Sequence, residues 1–174
     1  TEYSLEDILT KIEKYKNYLL PSGGGITVTG GEPLLQPKFL ITLFKKLKNL
    51  KIPTAIDTSG MVDLTQDIRE LISLTDLFLL DIKHINDEKC KELVGKSNKQ
   101  ELEFAKYLSE NNKDIWIRQV IIPEITNNKE DLTILREFIN SLKTVKNIEL
   151  LKYHTLGKSK WEALNANYEL EGIP

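Results

Sequence analysis

Cysteine is the scarcest chemistry in this 174-residue chain, which holds Cys90 and no other. A single thiol excludes an intrachain disulfide. It also excludes a zinc or iron–sulfur centre ligated by cysteines of this chain alone. Arginine is nearly as rare, limited to Arg69, Arg118 and Arg136. Lys and Arg together number 24 against 26 Asp and Glu, a formal net charge of −2. That balance gives no general electrostatic reason to expect nucleic acid or an anionic membrane as partner. No apolar run approaches the roughly 20 residues of a membrane span. No basic segment leads into an apolar stretch as in a secretory leader, so the cytoplasm is the expected compartment. The chain opens on Thr and enters a helical pattern almost at once, which sets the expectation of a piece cut from a longer protein.

What is present is ordinary for a globular domain: 40% hydrophobic and 29% charged residues. The length predicts a single domain over residues 1–174. Such a domain can bury roughly 70% of its unfolded surface without covalent staples. Ser4 and Asp7 read as a capping-box start, and Leu5, Ile8, Leu9, Ile12, Tyr15 and Leu19 recur at helical spacing. Pro21-Ser22-Gly23-Gly24-Gly25 stops that helix, and the β-branched Ile26–Thr29 predicts a strand. Helical stripes around residues 39–47, 68–72, 87–93, 102–108 and 132–142 then alternate with strands at Thr54–Asp57, Leu77–Ile82, Ile115–Ile122 and Ile148–Leu151. The near-continuous apolar run of Leu77–Ile82 reads as a strand buried on both faces. Alternating strands and helices predict an α/β fold with mainly parallel strands. Five strands are too few for a closed eight-stranded barrel, so the expected architecture is an open, partial (β/α) barrel.

Ligands of such folds bind where the strands end. Gly30, Gly31 and Glu32 follow the first predicted strand, Asp57 and Thr58 end the second, Asp81 and Lys83 end the third, and Tyr153 and His154 follow the fifth. Arg118 lies within the fourth, and alternation turns it toward the barrel. Each has a plainer reading. Gly30-Gly31 serves equally as a tight turn. Asp57 and Asp81, each taken alone, read first as helix caps, whereas together with Thr58 and nearby carbonyls they would make an oxygen-rich pocket for a hard cation. Lys83 is either a solvated amine or the partner of a ligand carboxylate. Arg118, if buried, requires an acidic partner. Cys90 reads as an inert thiol, at the surface or half-buried.

The ordered series Ser22-Gly23-Gly24-Gly25-Ile26-Thr27, Thr29-Gly30-Gly31-Glu32-Pro33-Leu34, Ile56-Asp57-Thr58-Ser59-Gly60, Leu80-Asp81-Ile82-Lys83, Leu93–Asn98, Trp116-Ile117-Arg118 and Tyr153-His154-Thr155-Leu156-Gly157-Lys158 resembles the radical S-adenosylmethionine superfamily. Within it the likeness is to the activases of glycyl radical enzymes. The resemblance implies S-adenosylmethionine and a 4Fe-4S cluster as cofactors, a glycyl radical enzyme such as pyruvate formate-lyase as partner, and flavodoxin or ferredoxin as electron donor. Gly30, Gly31 and Glu32 would hold the methionine amino group. Asp81 and Lys83 would anchor the methionine end. Thr58 and Ile82 would line the cofactor, His154 would contact the adenosine and Arg118 would lie beneath it. Asp57, Thr58, Asp81 and the Leu79 carbonyl would hold a monovalent cation. The family's CxxxCxxC cluster loop has no counterpart here. The expectation is therefore a core truncated at both ends and inactive by itself. An activase for another glycyl radical enzyme, or a clusterless non-catalytic domain of the same fold, stands as the alternative.

Overall fold

The computed structural model describes residues 2–165, Leu170 and Gly172. Thr1, residues 166–169, residue 171 and residues 173–174, including both extremes of the expected 1–174 domain, lie outside the described residues. Helix α1 runs Leu5–Ser22. Its start is a reciprocal cap: Ser4 Oγ accepts the Asp7 amide at 3.1 Å while Asp7 Oδ2 accepts the Ser4 amide at 3.0 Å, which satisfies donors the first turn leaves free. Pro21 is tolerated in the final turn, just before Gly23 turns the chain at φ +67°.

Five strands follow: β1 (Ile26–Val28), β2 (Thr54–Thr58), β3 (Leu77–Asp81), β4 (Asp114–Ile121) and β5 (Val145–Lys152). All four adjacent pairs are parallel, and the sheet order is β1-β2-β3-β4-β5. Helices α2 (Pro37–Asn49), α3 (Gln66–Leu74), α4 (Asp87–Val94), α5 (Lys99–Glu110) and α6 (Lys129–Ser141) carry the crossovers, and the short α7 (Lys158–Ala163) follows β5. The sheet is open, as the strand count predicts.

Alternation gives the two faces different fates. Ile56, Phe78, Leu80, Ile115 and Ile117 point under the helices and are fully buried. They form one core with Phe44, Leu47, Leu71, Phe104 and Leu108. Their neighbours Ala55, Asp57, Leu77, Leu79, Asp81, Trp116 and Arg118 occupy the other face and are only half-buried. The expectation that β3 is buried on both faces is thus corrected: its burial alternates, because among the described residues the helical core packs on the Phe78 and Leu80 side and leaves Leu77, Leu79 and Asp81 half-buried. Cys90 is also corrected. It is fully buried rather than superficial, because the apolar side of α4 turns it inward.

Gly60, after β2, sits at φ +67°, where a side chain is disfavoured. A Cβ there would stand 2.8 Å from Leu80 Cδ1 and 3.0 Å from Phe104 Cδ1. Backbone strain and overpacking then act together. Gly60→Ala should destabilise the fold by about 2–4 kcal/mol, read as a lowered urea midpoint. An unchanged midpoint would show that this turn relaxes freely.

Candidate active site

Parallel register sets the site. Asp57 pairs with Leu79 and Leu79 with Trp116, while Asp81 pairs with Arg118 and Arg118 with Glu149. Paired residues of parallel strands share a face, so Asp57, Asp81 and Arg118 meet on the concave side near the strand ends. Arg118 Nε donates to Asp81 Oδ1 at 2.9 Å, and its Nη2 donates to Asp57 Oδ1. Lys83 Nζ reaches Asp81 Oδ2 at 3.2 Å, and Thr29 Oγ1 donates to Asp57 Oδ2 at 3.3 Å. Two acids and two bases form one continuous chain across the rim. Neither Asp57 nor Asp81 caps a helix. Burial opposes the Arg118 charge, but the facing carboxylates of Asp81 and Asp57 outweigh it and hold its pKa above the ordinary value.

Glu32 is fully engaged. Its Oε1 accepts the Leu34 amide at 3.1 Å and the Thr58 hydroxyl at 2.6 Å. Its Oε2 accepts the Ser59 amide at 3.0 Å and the Ser59 hydroxyl at 2.7 Å. The carboxylate therefore ties the loop after β1 to the loop after β2. Gly30, at φ +143°, and Gly31 are different: a Cβ at either would meet nothing within 4 Å. Glycine at 30 serves the backbone conformation, and the backbone at both positions borders open space.

That space is a cavity of about 430 Å³ bordered by Gly30, Gly31, Glu32, Asp57, Thr58, Asp81, Lys83 and Arg118. A second cavity, about 560 Å³ and mostly apolar, is bordered by Ile82, Val120, Ile122, Tyr153, His154 and Trp161. Asp81, Lys83 and Val94 border both and join them. Gly30, Gly31, Glu32, Asp57, Thr58, Asp81, Ile82, Lys83, Arg118 and His154 are thus gathered on one rim. Leu79 is a step lower on the concave face and borders neither cavity.

Ser59, Met61, Val94 and Glu101 belong to the site or its support without having been singled out. Ser59 lies inside the Ile56–Gly60 motif, and its hydroxyl side chain at a strand end is the signal the sequence carries. Glu101 gave none, since an acid in the first turn of α5 reads as an ordinary dipole partner.

The donor set fits a zwitterionic ligand with an apolar body: free backbone at two glycines, an ammonium and paired carboxylates lead into an apolar cavity. It does not fit an iron–sulfur cluster. Cys90 is fully buried, and burial followed by the nearby Glu101 charge pushes its thiol up to about 11. No group of three or more His, Cys, Asp or Glu among the described residues is arranged to hold a metal. The Arg118 guanidinium stands between the two carboxylates that would flank a monovalent cation, and the Thr58 hydroxyl is turned to Glu32.

Comparison with known proteins agrees with this architecture. The family model described as the radical SAM superfamily matches residues 1–136. A pyruvate formate-lyase-activating enzyme of Staphylococcus epidermidis is 48% identical over 99% of this chain and 70% of its own length. One from Listeria monocytogenes is 46% identical over 99% of this chain and 72% of its own length. A crystal structure of a domain of pyruvate-formate lyase-activating enzyme from Bacteroides vulgatus superposes with a TM-score of 0.69 at 29% identity, covering 75% of this chain and 81% of that one. On this evidence the chain belongs to the radical SAM superfamily and, within it, to the family of the pyruvate formate-lyase-activating enzymes.

Proposed function

We propose that this chain supplies the S-adenosylmethionine-binding rim of an enzyme that installs a glycyl radical on pyruvate formate-lyase. The supporting observation is the continuity of the polar and apolar cavities through Asp81 and Lys83. Gly30 and Gly31 offer backbone carbonyl and amide groups to the ligand's amino-acid end. The Lys83 ammonium, held by Asp81, meets its carboxylate. His154 and the apolar wall beside Ile82 receive the nucleoside. Glu32 acts indirectly, by locking the glycine loop to β2. Arg118 holds Asp57 and Asp81 at a fixed spacing beneath the ligand. When bound, S-adenosylmethionine would supply one-electron hydrogen-abstraction chemistry at the partner's glycine; the protein's part is to orient it and exclude water.

The cluster's cysteines are assigned to a segment of the parent protein outside these residues, because Cys90 cannot serve. Flavodoxin or ferredoxin is the proposed reductant and the cytoplasm the proposed compartment; no helix among the described residues is long and apolar enough to cross a membrane.

Calorimetric titration of the chain with S-adenosylmethionine tests the rim. Asp81→Ala removes the group that orients both Lys83 and Arg118 and should weaken binding about tenfold or more, as loss of a charge-assisted contact does. Cys90→Ala should stay within about twofold, since its thiol borders neither cavity. Equal effects of the two would refute the assignment. The intact parent, reconstituted anaerobically with iron and sulfide and then reduced, should cleave the cofactor and give an EPR-detectable glycyl radical on pyruvate formate-lyase. Cofactor cleavage with a radical only on a different glycyl radical enzyme would move the partner assignment and leave the chemistry intact.

A further inference from the structure

Behind the rim lies a carboxyl group that none of the chemistry above employs. Glu101, in the first turn of α5, is fully buried. Its Oε2 accepts the Lys83 backbone amide at 3.4 Å, and the His84 amide also faces the carboxyl. Its Oε1 is buried with no hydrogen-bond partner. A carboxyl buried in such a place is costly unless it is hydrogen-bonded, and the partners it has are backbone amides. What lies near is the peptide immediately after β3, the one that carries the Lys83 side chain out to Asp81 and to both cavities. The Ile82 amide is already fixed by the Arg118 carbonyl at 2.9 Å. Beyond it the strand pairing ends, and the Lys83 amide has Glu101 as its acceptor. The thiol of Cys90, on α4, lies close enough to feel the Glu101 charge, so the carboxyl is wedged between two helices and the strand end.

We propose that Glu101 is a positioning residue: from beneath the rim it receives the backbone of Lys83 and His84 and thereby fixes where the Lys83 ammonium stands for the ligand's amino-acid end. The link to the ligand rests on the cofactor reading above; the brace itself does not. Its charged and titratable surroundings are Lys83 and Asp81 at the end of β3, His84 in the following turn and Cys90 from α4.

Two variants separate position from bulk. Glu101→Gln keeps an oxygen acceptor of the same reach. Glu101→Leu keeps the volume and removes the acceptor, an apolar group taking the place of a buried carboxyl. Amide hydrogen exchange of the whole chain, resolved by NMR, reads the brace without any cofactor. The Lys83 amide should be protected in the wild type and in Glu101→Gln, and should exchange about tenfold faster in Glu101→Leu. The Ile117 amide, in the middle of the sheet, should not change. S-adenosylmethionine affinity should follow the same order, about tenfold weaker in Glu101→Leu and restored to within about threefold in Glu101→Gln. An unprotected Lys83 amide in the wild type, equal loss in both variants, or unaltered affinity in Glu101→Leu would each overturn the proposal. The amide pattern without cofactor binding by any form would sustain the brace and overturn the cofactor reading instead.

Discussion

Replacing Arg118 by methionine will destabilise the chain by about 2–3 kcal/mol at neutral pH, below the roughly 3–5 kcal/mol that breaking a fully buried ion pair costs, because this one is partly exposed. The reason lies in what is left behind. Asp57 and Asp81 would lose the group that bridges them, and two carboxylates on neighbouring strands, offset by two residues in register, would be left with Lys83 beside Asp81 as their cation. Their side chains are 23% exposed, so water softens the repulsion without removing it. The triple variant Arg118→Met, Asp57→Asn, Asp81→Asn should recover part of the loss, because the repulsion between the two carboxylates goes with their bridge while Lys83 loses its partner Asp81. Added monovalent salt should recover part of it in the single variant and little in the wild type, since the vacated position between two carboxylates suits a hard cation. Urea unfolding of the three proteins at low and high salt is the measurement. A single variant as stable as the wild type would mean that the ion chain is solvated decoration. No recovery in the triple variant would trace the loss to packing of the arginine stem.

How much of this was legible beforehand depends on the range of the interaction. The alternation of strands and helices followed from local pattern, because β-branched runs such as Ile26–Val28 and stripes such as Leu40, Leu43, Phe44 and Leu47 carry their own period. The gathering of Gly30, Asp57, Asp81 and His154 on one rim followed from the parallel topology, which sends every strand end the same way. The start of β5 was less clear: Val145-Lys146-Asn147 extends the strand beyond Ile148, but its side chains do not announce it. The open side of β3 was missed because Leu77, Leu79 and Phe78 look alike in a list, whereas only the fold tells which lies under a helix. Cys90 sits among lysines and glutamates of α4, so composition argued for the surface while the helix face it occupies argued for burial. Glu101 was invisible for the strongest reason. Its neighbours Lys83 and His84 are distant in sequence and are brought beneath it by the return of the chain through α4.

That same glutamate gives the largest pH effect. Burial raises its carboxyl from an ordinary 4.5 to about 8, against the amide of Lys83 and the Lys83 charge, which pull the other way. The folded chain therefore keeps a proton on Glu101 that the unfolded chain has released. Between about pH 4.5 and pH 8 the folded state binds more protons than the unfolded one, so stability falls as pH rises, at up to about 1.4 kcal/mol per unit. Above about pH 8 both states are ionised and the decline from this group ends. Glutamine carries no such proton. Glu101→Gln should therefore gain on the wild type by roughly 2–4 kcal/mol from pH 5 to pH 9. Subtracting one curve from the other cancels the remaining titrations. The Cys90 thiol, raised to about 11, stays neutral through the window. Chemical denaturation of both proteins across that range decides it: parallel stability curves would mean that water reaches the carboxyl and that Glu101 ionises in the folded chain as it does in the unfolded one.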